Sequence, residues 1–197
     1  MNSFLRLGNS SQMSLNVVLG PMWAGKSSYI LSKIRRYKAI GWNTYVITNS
    51  LDNRYGHYVI STHDNTEFPA VSVRSLLPLR TEEKYKEAKL IILEEAQFFQ
   101  DLVSFVLQAV EEDGKHVIVV GLDGDSERRP FGDILKLIPY CDSVEKITSL
   151  CSECSDGTPA LFSHRNCILD EQIAVGAENM YIPLCRKHYL KKKELKS

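Results

Sequence analysis

A surplus of either charge is missing from this chain of 197 residues: 24 Lys and Arg stand against 24 Asp and Glu. Proteins that grip nucleic acid non-specifically, or lie on anionic membranes, usually carry a basic excess, so the balance argues against both. The one charge cluster, KKKELKS at 191–197, reads as a solvated tail. Long apolar runs are also lacking, and the longest fall far short of the roughly 20 residues of a membrane span. The opening MNSFLRLGNSSQ has neither an extended apolar core nor a small-residue cleavage site, so no secretory signal is expected and the location is read as cytoplasmic. Five cysteines do not make an even set, and two of them form CSEC at 151–154. Without an export signal, that pattern favours metal binding in a reducing compartment over a disulfide framework. Internal repeats and low-complexity tracts are absent.

Short apolar runs do recur: LNVVL at 15–19, TYVIT at 44–48, LIILE at 90–94, HVIVVGL at 116–122 and VEKIT at 144–148. Most are continuously apolar rather than alternating, as strands covered on both faces of a parallel sheet are. Helical spacing lies between them. Ile30, Leu31 and Ile34 recur before Gly41; Leu102, Phe105, Val106, Ala109 and Val110 before Gly114; Ile134, Leu135, Leu137 and Ile138 before Pro139. The alternation predicts a three-layer α/β domain with right-handed crossovers over 14–149. A change to Cys, Ser, Asp and Gly near Leu150 marks a second small unit over 150–190, with tails at 1–13 and 191–197.

GPMWAGKS fits the pattern G-x-x-x-x-G-K-[ST] with Gly20, Gly25, Lys26 and Ser27. The glycines let backbone N–H groups turn towards phosphates, Lys26 reaches the terminal ones, and the Ser27 hydroxyl ligates Mg²⁺. A predicted strand precedes the stretch and a predicted helix follows, the context in which such a loop holds a nucleoside triphosphate. LIILEEAQFF closes an apolar strand on Glu94 and Glu95. One carboxylate there can serve Mg²⁺ and a second can act as a base. The alternative for the pair taken alone is a solvated strand end. Strand neighbours face opposite ways, so both reach one site only where the strand gives way to its loop.

Cys151 and Cys154 form C-x-x-C, and Cys185 and His188 form C-x-x-H. Three thiolates and an imidazole make a closed tetrahedral Zn²⁺ site with no open position, hence a structural one. The insert 155–184 is then a loop pinned at its base. Cys141 and Cys167 miss the spacing and read as structural; His57, His63, His116 and His164 read as surface or packing residues.

Taken in order, these pieces resemble the type II thymidine kinases, the zinc-containing kinases of animals, bacteria and large DNA viruses. The resemblance runs from Leu15 to Tyr189 through GPMWAGKSS at 20–28, DNRY at 52–55, THD at 62–64, EEAQFF at 94–99, GLDGDSERRPFG at 121–132, CSEC at 151–154, VGAENMY at 175–181 and CRKHY at 185–189. It implies a parallel-sheet P-loop NTPase domain of the RecA-like kind with a small C-terminal zinc lasso. The implied reaction transfers the γ-phosphoryl of ATP to the 5′-hydroxyl of thymidine. Glu95 would be the base, while Glu94 and Ser27 would serve Mg²⁺. Arg54, from a segment opened by Asp52, would join Lys26 in balancing charge on the transferring group. Pro21, Met22, Trp23, Ala24 and Ser28 complete the phosphate loop, and Gln97 falls with the ATP and Mg²⁺ residues.

By the same resemblance the insert forms a lasso over the nucleoside through Ser163 and the stretch Gln172, Ile173, Ala174, Val175 and Gly176, with Tyr181 closing the pocket. Met22 and Leu122 match apolar residues around the thymine methyl, and Phe98, Ser126 and Phe131 complete the nucleoside set. A homotetramer, or a dimer, and feedback by dTTP are implied as well, with no nucleic-acid or membrane partner. Two positions depart from the family pattern: Glu94 stands where Asp is usual, and Ser126 where Phe packs on the base. The alternative is a nucleic-acid-stimulated P-loop ATPase with the zinc unit as a binding module; charge balance, a single short domain and the lack of an aromatic-and-basic stripe weigh against it. A nucleoside-binding relative without turnover is a further alternative.

Overall fold

The computed structural model describes residues 13–50, 59–61, 67–166 and 180–194. β1 (Ser14–Leu19) leads through the phosphate loop into α1 (Lys26–Ala39). Next come β2 (Thr44–Asn49), the antiparallel pair β3 (Val59–Ser61) and β4 (Glu67–Pro69), and β5 (Val71–Val73). A 3₁₀ segment at Leu77–Thr81 precedes α2 (Glu83–Glu87) and β6 (Leu90–Leu93). Then α3 (Leu102–Leu107) runs on as a π-helical turn, Gln108–Glu112, into β7 (His116–Gly121). A second 3₁₀ segment, Ile134–Tyr140, leads to β8 (Ser143–Lys146). The C-terminal part holds β9 (Ser149–Leu150), β10 (Pro159–Ala160), β11 (Phe162–Arg165), β12 (Tyr181–Leu184) and α4 (Arg186–Glu194).

Six strands form one sheet in the order β5-β2-β6-β7-β1-β8, and every pairing within it is parallel. Side chains alternate across a strand, so each face collects every second residue. On one face Leu15, Val17, Ile47, Ile91, Leu93 and Val119 pack under Leu102, Phe105 and Val106 of α3. On the other, Val18, Val46, Ile92, Ile118 and Val120 pack against Ile30, Leu31 and Ile34 of α1. The expected three-layer α/β arrangement is therefore present, and burial on both faces is why these strands read as unbroken apolar runs.

Three details differ from the sequence reading. A sixth strand, β5, extends the sheet beyond β2; at three residues it is too short to carry a periodic signal. The Ile134–Tyr140 segment is 3₁₀ rather than α-helical and contains Pro139 instead of stopping before it. Ile134 and Leu137, three apart, are fully buried while Ile138 is exposed, the three-residue repeat of a 3₁₀ turn, whose φ suits proline. Finally, VEKIT is an outer strand with all four residues of β8 exposed, so only part of the sheet is covered on both faces.

Beyond β8 the chain builds a separate apolar cluster from Cys151, Ala160, Leu184, Cys185 and Tyr189, with β9 paired to β10 and β11 to β12, both antiparallel. The described part of the insert between the cysteine pairs thus contains strands, not only loop. Among the described residues no helix is long and apolar enough to cross a membrane.

Candidate active site and metal centre

In a parallel sheet, loops that leave the C-terminal strand ends share one edge, and that edge is where ligands bind in open α/β folds. The phosphate loop follows β1, the glutamate pair follows β6, and the 122–131 loop follows β7, which lies between them. Gly25 caps α1 with φ 77°, a left-handed conformation that glycine adopts without strain. Lys26 lies back across its own loop, its Nζ donating to the carbonyls of Pro21 at 2.9 Å and Gly20 at 3.3 Å. Trp23 is exposed, with φ 65°.

The Ser27 hydroxyl donates to Glu94 Oε1 at 2.8 Å. Two hard oxygens this close could hold Mg²⁺, which takes oxygen ligands and completes its shell with phosphate and water. β6 ends at Leu93, and the Glu94 N–H still donates to Ile47 O of β2 at 2.8 Å. Glu95 then turns into the left-handed region at φ 51° and caps a 3₁₀ turn, Ala96–Phe98. That turn ends the strict alternation, as both glutamates reaching one edge requires. Gln97, almost fully buried, donates from Nε2 to Glu95 Oε2 at 2.5 Å and accepts the Leu122 N–H on Oε1 at 3.0 Å.

The 122–131 loop is held from inside by Asp125. Its Oδ1 accepts the N–H groups of Glu127 and Arg129, both at 2.9 Å, and its Oδ2 pairs with Arg129 Nε at 2.7 Å. Phe131 is buried and meets the edge of Phe98, ring centroids 5.4 Å apart. Ser126 is half-buried, and its carbonyl accepts the Tyr189 hydroxyl at 2.7 Å. Arg128, at φ 64°, lies over the Tyr189 ring at 4.6 Å and the Phe162 ring at 5.4 Å. The sequence reading missed Tyr189, Arg128 and Asp125; only for Asp125 was there a local signal, an aspartate two and four residues ahead of the amides it caps.

Ser163 is buried on β11, where its Oγ accepts the Met22 N–H at 2.9 Å. The β11–β12 ladder sets Arg165 against Tyr181, and the Arg165 guanidinium donates to the Tyr181 hydroxyl at 2.7 Å. Asp52, Arg54 and the lasso stretch Gln172–Gly176 lie outside the described residues.

The four proposed zinc ligands converge. Cys151, Cys154, Cys185 and His188 bring their ligand atoms within 4.8 Å of one another. Bonds of about 2.3 Å to sulfur and about 2.1 Å to nitrogen in a tetrahedron put ligand atoms roughly 3.5–3.8 Å apart. Here Cys154 Sγ lies 3.8 Å from Cys185 Sγ, and His188 Nδ1 lies 3.3–3.5 Å from the three sulfurs. Three soft thiolates and an imidazole fit Zn²⁺ by donor chemistry as well as by spacing. Burial opposes it, yet the Cys185 N–H and the His188 ring bring the Cys151 thiol down to about 6; burial, with the neighbouring thiols, pushes Cys154 up to about 11. The remaining described cysteine, Cys141, donates its thiol to Ile138 O at 3.2 Å. His164 meets the Tyr189 ring edge-on, and His116 lies tilted beside Trp42 with its Nδ1 2.8 Å from Ser14 Oγ.

The sequence comparisons agree with one another. The family model described as thymidine kinase matches residues 13–189. A thymidine kinase of rice (Oryza sativa subsp. japonica) is 38% identical over 180 residues, covering 89% of this chain and 66% of that protein. Thymidine kinase a of Arabidopsis thaliana is 38% identical over 181 residues, 90% of this chain and 75% of that one. The thymidine kinase of monkeypox virus is 38% identical over 176 residues, covering 89% of this chain and 96% of the viral protein.

Proposed function

The chain belongs to the thymidine kinase family, and from that membership together with the site's geometry we infer that it is an ATP-dependent kinase phosphorylating thymidine on its 5′-hydroxyl. The hydrogen bond between Ser27 and Glu94, with Glu95 the next residue, carries this reading, because it joins the phosphate grip to a carboxylate pair. Nothing favours a nucleic-acid-stimulated ATPase.

In the proposed reaction the 5′-oxygen forms a bond to the γ-phosphorus as the bond to the ADP oxygen breaks, and the hydroxyl proton passes to the Glu95 carboxylate. Lys26, swinging off the Gly20 and Pro21 carbonyls, and Arg54 balance charge on the transferring phosphoryl. Ser27 and Glu94 are the residues to hold Mg²⁺, which neutralises phosphate charge when bound. The phosphate loop from Gly20 to Ser28 receives the triphosphate. Met22, Phe98, Leu122, Ser126 and Phe131 would face the nucleoside, with Ser163, Gln172–Gly176 and Tyr181 as the lasso over it. Ser163 holds the Met22 backbone, so its part in that lasso is to anchor it to the phosphate loop.

The zinc tetrad would hold both ends of the lasso stem. The outer strand β8, paired on one side and bearing an exposed Val144, supports association of copies into a dimer or tetramer. Feedback by dTTP and a cytoplasmic location complete the reading. ADP release measured with thymidine, deoxyuridine, deoxycytidine and single-stranded DNA tests it: turnover with thymidine is expected, and stimulation by DNA alone would overturn it.

A further inference from the structure

Gln97 is 2% exposed, and both ends of its amide are engaged. A backbone N–H can only donate, so the Leu122 bond fixes which end of the amide is oxygen. The NH₂ end is left to donate to Glu95, and the amide has one orientation. Its surroundings are shaped to that orientation. A Cβ on Gly121, the last residue of β7, would collide with Gln97 Oε1, and one on Gly132 would collide with the Gln97 main-chain carbonyl. Two glycines thus admit the Gln97 side chain and backbone where any other residue would push them away. Glu95 meanwhile holds a left-handed backbone that a non-glycine residue adopts only when its surroundings enforce it.

We propose that Gln97 is a positioning residue for Glu95, its amide transmitting the orientation of the β7 end to the carboxylate, and not a ligand of ATP or Mg²⁺. This rests on the kinase reading, in which Glu95 accepts the hydroxyl proton. A glutamate side chain has three rotatable bonds, and a base that wanders by an ångström loses much of its effect. Because the far end of the bond is Leu122, assigned to the nucleoside wall, the proton acceptor and the wall share one reference point.

The test is a double-mutant cycle on the full chain, reading labelled phosphate transferred from ATP to thymidine. Gln97→Met keeps the side chain's length but makes neither hydrogen bond. Alone it should lower kcat by about 10–100-fold, the size of effect that outer partners of metal ligands carry, with KM for thymidine and ATP changed less than about threefold. In a Glu95→Gln background the same change should cost less than about threefold, since the group it positions is gone. Gln97→Glu, which keeps the bond to Leu122 but sets a carboxylate against Glu95, should also lower kcat. Equal losses in both backgrounds, near-normal kcat in the two Gln97 variants, or failure of both to fold would each reduce Gln97 to a structural residue and overturn the proposal. If the wild-type chain itself does not phosphorylate thymidine, the kinase reading fails first, and the two failures stay distinct.

Discussion

Ser27 and Glu94 lie 67 residues apart in the chain, yet the hydroxyl of one donates to the carboxylate of the other at 2.8 Å. The proposed reading gives Glu94 to the phosphate-loop side of the edge and makes Glu95, turned by its left-handed φ of 51°, the base. The two should separate cleanly. Glu94→Gln is expected to raise the Mg²⁺ concentration needed for half-maximal rate. Glu95→Gln should lower kcat by about 10²–10⁴-fold with nucleoside affinity little changed. Mg²⁺ titration and steady-state kinetics check the pair; near-normal turnover in Glu95→Gln would move the base elsewhere.

The zinc tetrad should hold one metal ion per chain. Cys185→Ser removes one of the four candidate ligand atoms while keeping the backbone N–H that donates to Cys151 Sγ at 3.3 Å, and with the metal lost, metal content, thermal stability and thymidine binding should fall together. Elemental analysis beside a melting curve checks this, and a fully active preparation with substoichiometric zinc contradicts it.

Ser126 offers a test of the nucleoside wall. Its backbone is fixed by the Tyr189 hydroxyl and by the Asp125 bonds to its neighbours, so a larger side chain can be tried without loosening the loop. An aromatic ring packed on a base contributes about 1–3 kcal/mol in single-strand binding. Ser126→Phe should therefore lower KM for thymidine several-fold with kcat little changed. A KM that stays or rises means another group already fills the space; Phe131 is held by its contact with Phe98.

Asp101 gives the fold a pH dependence. Its Oδ2 accepts Ser75 Oγ at 2.6 Å, Leu76 N–H at 2.7 Å and Leu77 N–H at 3.0 Å. Burial pushes this carboxyl up, but the bonds from Ser75, Leu77 and Leu76 outweigh it and hold it below the ordinary carboxylate range. With the folded value lowered, the stabilisation is complete above about pH 4, the unfolded value, and drains away as pH falls through the folded one. Asp101→Ala should cost about 1–3 kcal/mol near neutrality, and its melting temperature should converge with that of the wild type in acid. A gap that persists undiminished at pH 2–3 would show that the carboxylate's charge is not what stabilises this corner.

Legibility in the sequence followed locality. The phosphate loop and the C-x-x-C and C-x-x-H pairs are contiguous patterns, and the glutamate pair lay at the end of a recognisable apolar run. Buried strands stood out because both faces demand apolar residues. What stayed hidden depends on partners far apart and on main-chain groups. Tyr189 reaches a carbonyl 63 residues away, and a carbonyl leaves no mark in the residue alphabet. Gln97 gave no sign of its two bonds, because the glycines admitting it lie 24 and 35 positions further on, at Gly121 and Gly132. β5 was too short to register, and Pro139 read as a stop because an α-helix would have stopped there.

The strand order has a further consequence, for the time at which the protein can assemble. Of the six strands of the sheet β1 leaves the ribosome first, yet it sits between β7 and β8, with Ser14 opposite His116 and Asn16 opposite Ser143. Its neighbours are made only after a hundred or more further residues. Until then the nascent chain carries an apolar strand without a partner and a phosphate loop without its glutamate edge, while β2 and β6, 46 residues apart in register at Thr44 and Leu90, can already pair. Contacts between distant segments form slowly and leave apolar strands exposed meanwhile. Chains stalled before residue 121 should accordingly gain no protease resistance from ATP, and protection should appear abruptly once β7 and β8 have emerged.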